Sequence, residues 1–107
     1  MVKIFTYGSL MDHRVRFNVL GYSINGINDI LDNYMLTDHS VFKTAYPAII
    51  PQNNSKVNGL VFEVKEDDII KLDRYESDLY KKIKIKTRNN IECLAYIENK
   101  IEWIVLK

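Results

Sequence analysis

Near the start of the chain a short apolar run, Ile4-Phe5-Thr6-Tyr7, breaks at Gly8-Ser9-Leu10. A glycine followed by a hydroxyl residue at that point predicts a strand that stops in a turn. The backbone of such a turn is exposed enough to touch a ligand. The fold is thus constrained from its first element: a strand comes first and the chain then turns sharply out of it.

The rest of the chain continues in short apolar segments. Val2 to Tyr7 reads as the first strand, and Met11 to Leu20 carries Met11, Val15, Val19 and Leu20 at roughly helical spacing before Gly21 stops it. Ile24-Asn25-Gly26-Ile27 holds a turn dipeptide, and Ile30 to Leu36 reads as a strand. Asp38 to Thr44 is polar and irregular. Tyr46-Pro47-Ala48-Ile49-Ile50-Pro51 has a proline at each side, which predicts an edge strand or a wall beside a cavity. Gln52 to Lys56 reads as a turn.

Val57 to Val64 alternates and contains Gly59, the mark of a bulge or a close backbone approach. Glu66-Asp67-Asp68 opens the clearest helix, with acids in its first turn, running to about Tyr75. Ile83 to Thr87, Ile91 to Ile97 and Ile101 to Leu106 read as three more strands. About six or seven strands against two short helices predict an α+β fold whose mixed sheet curls into a partial β-barrel.

At 107 residues, 47% of them hydrophobic, the chain is expected to form a single domain, residues 1–107, with one compact core. A net charge of +1 gives no reason to expect nucleic acid or a membrane surface as partner. Lys81, Lys82, Lys84, Lys86 and Arg88 alternate along a strand and read as a solvated face. No apolar run approaches the length of a membrane span, and the first residues show no secretory signal, so a cytoplasmic protein is expected. Asn53-Asn54-Ser55 then reads as a polar turn and not a glycosylation site. The single cysteine, Cys93, excludes an intramolecular disulfide and lies in an apolar strand, where a core role is favoured over a nucleophile. His13, His39 and Cys93 are too scattered to suggest zinc, and no cofactor motif is present.

One acid sits on the wrong face. Ile69, Leu72 and Glu76 fall at i, i+3 and i+7 of the second helix, the stripe that packs on the sheet. Desolvation there raises a carboxyl's pKa and makes it a usable acid or base near neutral pH. Against this, Glu76 occupies the last turn, where a helix frays and an acid can swing into water. Asp73 borders the same stripe and reads as structural, accepting backbone hydrogen bonds or pairing with Lys71 or Arg74. Ser9 reads equally well as a helix cap. No base for it is implied nearby.

Taken together the segments resemble the gamma-glutamylcyclotransferase-like superfamily, in particular its short bacterial and archaeal members. Tyr7-Gly8-Ser9-Leu10 resembles that family's substrate loop, and Tyr46-Pro47-Ala48-Ile49-Ile50 its Tyr-Pro-Ala segment. Val57-Asn58-Gly59-Leu60-Val61-Phe62-Glu63-Val64 resembles its Val-x-Gly strand. Leu72-Asp73-x-Tyr75-Glu76, followed by Tyr80, resembles the element that carries its catalytic glutamate. One departure is clear: the family usually has glycine directly after the glutamate, where this chain has Ser77.

The resemblance implies an enzyme that converts a γ-glutamyl amine or amino acid to 5-oxoproline and a free amine. Glu76 would act as general acid and base, and the amides of Gly8, Ser9 and Leu10 would hold a carboxylate or oxyanion. Tyr7, Tyr46 and Tyr96 would form pocket walls. It implies a small-molecule γ-glutamyl substrate, no cofactor and no metal. It leaves open the leaving amine and the oligomeric state. The alternative on the same fold is a non-catalytic module that binds a small ligand.

Overall fold

The computed structural model describes residues 1–37 and 48–98. Five strands and two helices follow one another in these residues: β1 (Val2–Thr6), α1 (His13–Leu20), β2 (Ile27–Thr37), β3 (Ala48–Val64), α2 (Ile69–Glu76), β4 (Tyr80–Lys86) and β5 (Glu92–Glu98). The strands form one mixed sheet in the order β2-β3-β1-β5-β4. All neighbours are antiparallel except β1 and β5, which run parallel. The expected six or seven strands are therefore five among the described residues; the strand expected at Ile101 to Leu106 lies outside them.

Both helices start later than the hydrophobic spacing suggests. Each is preceded by a single 3-10 turn, at Ser9–Met11 and at Glu66–Asp68. Asp12, not Ser9, caps α1, its carboxylate accepting from the amide of Arg14 at 2.8 Å. Gly21 ends α1 in the left-handed region at φ 87°, where a glycine meets no steric penalty. The α1 end is tied to α2 by Lys71, which donates to the Leu20 carbonyl at 2.9 Å, and by the Tyr22 hydroxyl, which donates to Asp68 at 2.6 Å.

The region expected as a turn, Gln52 to Lys56, is instead part of a 17-residue β3. Of these five residues only Lys56 has a partner in the β2 register, and Gln52 to Ser55 form an unpaired excursion between Pro51 and Lys56. The irregularity survives as a break in register: β2 pairs as Asp32 with Lys56, then as Tyr34 with Pro51. Asn33 and Asn54, both at positive φ, absorb the extra chain there, and the Asn54 amide donates to the Asn33 side chain.

Alternation along the strands produces two apolar clusters. One draws Phe5, Leu31, Val57, Val61, Ile85, Cys93 and Ala95 from all five strands and fills the inside of the curl. The other places Ile4, Phe62, Val64 and Tyr96 against Leu10, Leu20 and Leu72 from the helical layer. Cys93 lies in the first cluster, and burial pushes its thiol up to about 11, so it stays a protonated core group.

Gly59 marks a close approach and not a bulge. A Cβ there would sit 2.5 Å from the Phe5 ring and 2.5 Å from the Thr6 carbonyl oxygen. Neither a core ring nor a strand carbonyl can retreat cheaply, so Gly59→Ala is expected to cost about 3 kcal/mol in a denaturant melt.

The turn between β4 and β5 reaches across to β2, at the other edge of the sheet. The Arg88 amide donates to the Ile30 carbonyl at 2.8 Å, and the Asn89 amide donates to Asp29 at 3.4 Å. The Arg88 guanidinium holds Asp32 through both carboxylate oxygens, at 2.7 and 3.1 Å. Burial pushes the Asp29 carboxyl up, but hydrogen bonds from Thr87 and from the amides of Ile30 and Asn89 outweigh it and hold it below the usual carboxylate range. Stability from Asp29 is therefore complete above that range and lost as the pH falls through it. Asp29→Ala is expected to cost about 2 kcal/mol, because it strands buried donors. Asp32→Ala, at an exposed pair, is expected to cost under about 1 kcal/mol. Parallel urea melts of the two variants test this ordering.

Candidate active site

After Thr6 the chain leaves β1 and crosses the end of the sheet as Tyr7, Gly8, Ser9 and Leu10. These four residues, with Glu76, Tyr80 and Tyr96, line a cavity of about 110 Å³. Residues of β1 and from the α2 end onward, among them Phe5, Tyr75 and Leu79, line it as well. The Tyr7 hydroxyl donates to the Tyr96 carbonyl at 2.6 Å, joining the end of β1 to β5. The Ser9 and Tyr75 hydroxyls form a short hydrogen bond that joins the loop to α2. Among the described residues, the amides of Gly8, Ser9 and Leu10 have no hydrogen-bond acceptor, whereas those of Met11 and Asp12 donate to the Gly8 and Ser9 carbonyls.

Glu76 ends α2 on the same stripe as Leu72, which is fully buried. It is partly buried, and no hydrogen bond from the described residues reaches its carboxylate. Desolvation therefore acts unopposed and raises its carboxyl to about 7. Asp73, one turn earlier, shows the opposite outcome. Burial pushes it up, but hydrogen bonds from Tyr96 and Lys82 outweigh that and leave it below its ordinary value. The Tyr96 hydroxyl donates to Asp73 at 2.6 Å and Lys82 pairs with it at 3.0 Å. The expected backbone partners of Asp73, and pairing with Lys71 or Arg74, are thus corrected. Its partners lie on the β4–β5 hairpin, which the helix end faces. Burial first, and the bond to Asp73 second, push the Tyr96 phenol upward. Burial does the same at Tyr7, so both stay protonated hydroxyls.

The match to known proteins follows this geometry. The family model for gamma-glutamyl cyclotransferase, AIG2-like, matches residues 4–104. The chain belongs to this family. A solved structure from Arabidopsis thaliana is similar with a TM-score of 0.79 at 20% identity, over 98% of this chain and 73% of the other. An AIG2-like protein from Mus musculus gives 0.72 at 20% identity, over 97% of this chain and 82% of its own. A protein described as a gamma-glutamyl cyclotransferase gives 0.69 at 19% identity, over 92% of this chain and 66% of its own. At these identities the likeness is one of fold. No curated protein matches the chain.

Of the family segments read from the sequence, the Tyr7–Leu10 loop and Glu76 share the cavity, and the Tyr96 ring lines it with its hydroxyl turned to Asp73. Tyr46 lies outside the described residues, as do His39 and the segment from Asp38 to Thr44. His13 is exposed and hydrogen-bonded to Ser23 at 2.7 Å, away from Ser9. Within the basic stripe, Lys82 and Arg88 are engaged by Asp73 and Asp32. Tyr75 also lines the cavity, and the sequence signals it only through its place beside Glu76. Among the described residues, no group of three or more His, Cys, Asp or Glu gathers as a metal site. No helix among them is long and apolar enough to cross a membrane.

The glycine that the family carries after its glutamate now has a physical reason. Ser77 takes φ 67° and ψ −176°, a region in which a side chain is strained. Its amide donates to the Asp73 carbonyl at 2.8 Å and ends α2, so Glu76 is the last helical residue before this kink. Ser77→Gly removes the strain and is expected to stabilise the fold by about 1 kcal/mol, seen as a raised melting temperature.

Proposed function

We propose that this protein is a cyclotransferase that closes a γ-glutamyl amine or amino acid to 5-oxoproline and releases the amine. The observation that carries the reading is a carboxyl raised to about 7, Glu76, in one small cavity with the open amides of Gly8 to Leu10. Most of this cavity's other polar lining is hydroxyl groups, which can hold a substrate by hydrogen bonds.

The chemistry makes specific demands. The substrate's α-amine is an ammonium at neutral pH and cannot attack until it loses a proton. Glu76, ionised above about 7, takes that proton. The freed nitrogen adds to the γ-carbonyl carbon to close a five-membered ring. The carbonyl oxygen gathers negative charge, which the hydroxyl donors lining the cavity can stabilise. When the oxygen re-forms its double bond, the original carbon–nitrogen bond breaks. Glu76 gives its proton to the departing nitrogen, which leaves as the amine, and the ring nitrogen then gives up its second proton to the carboxylate, which passes it on to the released amine. No atom enters or leaves apart from the substrate's own. Because nucleophile and electrophile share one molecule, folding the substrate into an attacking shape supplies much of the rate enhancement. A small cavity lined by aromatic rings suits that task.

The test is release of 5-oxoproline from a panel of γ-glutamyl amines and amino acids. Activity should rise with pH through about 7, as Glu76 ionises. Glu76→Gln should lower turnover by about a hundredfold or more. The same substitution has a second, independent readout. A carboxyl raised by burial opposes folding once ionised, so wild-type stability should fall as pH rises from its ordinary value of 4.5 to about 7. Glu76→Gln should flatten that decline and be more stable at pH 8 by up to about 3 kcal/mol. Tight binding of 5-oxoproline with no release from any substrate would replace the enzyme with a binding module.

A further inference from the structure

Directly behind the Gly8–Leu10 loop lies a buried cation. Arg16, on α1, is only 4% exposed. Its Nη1 donates to the Leu10 carbonyl at 3.0 Å and to the Met11 carbonyl at 2.8 Å. Its Nε donates to the Ile24 carbonyl at 3.2 Å, and its guanidinium carbon lies 5.9 Å from the centre of the Phe62 ring. Among the described residues no carboxylate pairs with it; the ion pairs there belong to Arg14, Lys71, Lys82 and Arg88. Burying an arginine costs several kcal/mol before compensation, and here carbonyl dipoles and a ring face supply it, none of which cancels the charge.

Two consequences follow. The guanidinium fork fixes the loop at Leu10 and Met11 and draws their carbonyl oxygens toward the buried side. It also leaves a net positive charge beneath the wall of the cavity, in surroundings that screen it poorly. An anion at the loop would find donors and a favourable potential together.

We infer that Arg16 is a positioning residue that braces the Gly8–Leu10 loop to receive a carboxylate, and that its charge makes the site prefer ligands bearing one. The inference rests on the cyclotransferase reading for the identity of that group, the α-carboxylate of the γ-glutamyl half. It also assigns selectivity: the protein reads the carboxylate of the ring-forming half. Arg16 touches no substrate; it acts through the loop.

The experiment compares matched ligands with and without the carboxylate. 5-Oxoproline and 2-pyrrolidone share the lactam ring and differ only in that group. Each is titrated against wild type, Arg16→Lys and Arg16→Gln, with thermal melts alongside. In parallel, KM and kcat are measured for a γ-glutamyl amide and for the 4-aminobutyryl amide of the same amine. Wild type should favour 5-oxoproline by about tenfold or more. Arg16→Gln should lose about tenfold for 5-oxoproline and nothing for 2-pyrrolidone, with the change in KM and not in kcat. Arg16→Lys, which keeps the charge, should recover most of the preference.

Equal losses for both ligands would mean a purely structural role and overturn the inference. So would a wild type without preference for the carboxylate, which needs no variant to fold. Should Arg16→Gln not fold, Arg16→Lys decides: preference kept supports the inference, and equal loss from both ligands overturns it. Binding of 5-oxoproline that depends on Arg16, with no turnover of any γ-glutamyl compound, would sink the enzymatic reading and leave this one standing. Turnover with variants that lose both ligands alike would do the reverse.

Discussion

The turn from Thr87 to Asn90 closes the sheet. In strand order, β2 and β4 are the two edges, so nothing in the ladder joins them. The Arg88 amide on the Ile30 carbonyl, and the Asn89 amide on Asp29, connect those edges directly. A flat sheet of five strands would leave one face wet. With its edges clasped, the sheet curls, and Phe5, Leu31, Val57, Ile85 and Cys93 share one interior. The exposed Arg88–Asp32 pair adds geometry more than energy. The buried Asp29 carries the larger share, because its neighbours have no water to turn to.

That curl decides where the cavity opens. β1 pairs with β3 along its whole length but with β5 over only two positions, Ile4 with Leu94 and Phe5 with Ala95. Beyond them the parallel strands part. The chain after Thr6 leaves the ladder beside Tyr96. The cavity therefore opens at the carboxyl end of β1, on the side of its one parallel neighbour among the described strands. The Tyr7 hydroxyl on the Tyr96 carbonyl bridges the parting strands and stops the gap from collapsing.

What the sequence made legible was what local physics decides. The break at Gly8 is a property of a few neighbouring residues. The stripe of Ile69, Leu72 and Glu76 needs only the period of a helix. Apart from the helix starts, where Asp12 caps α1 in place of Ser9, the departures involve partners distant in sequence. Asp73 is bound by Tyr96 and Lys82 on the following hairpin, and nothing in the helix names them. Gln52 to Lys56 has the composition of a turn, and it lies inside β3 as a bulge whose flanks, Pro51 and Lys56, pair with Tyr34 and Asp32 of the distant β2. Arg16 carries no periodic signal, since burial of an arginine depends on carbonyls that other segments bring to it. The sequence allows Gly59 either a bulge or a close approach; Phe5 and Thr6, far away in sequence, decide for the second.

Two carboxyls one helical turn apart end up with opposite tendencies, and the difference is hydrogen bonding and not burial alone. Asp73 keeps its charge because a phenol and an ammonium both donate to it. Glu76 has no such donors among the described residues, so desolvation moves it toward neutrality. Under the proposed reaction this division has a purpose. A base that already accepts two strong hydrogen bonds is too stable as an anion to take a proton from an ammonium. Asp73 instead spends its charge on holding the Tyr96 ring beside the cavity, and Glu76 is left free to exchange a proton. The kink at Ser77 then matters because it ends the helix on Glu76.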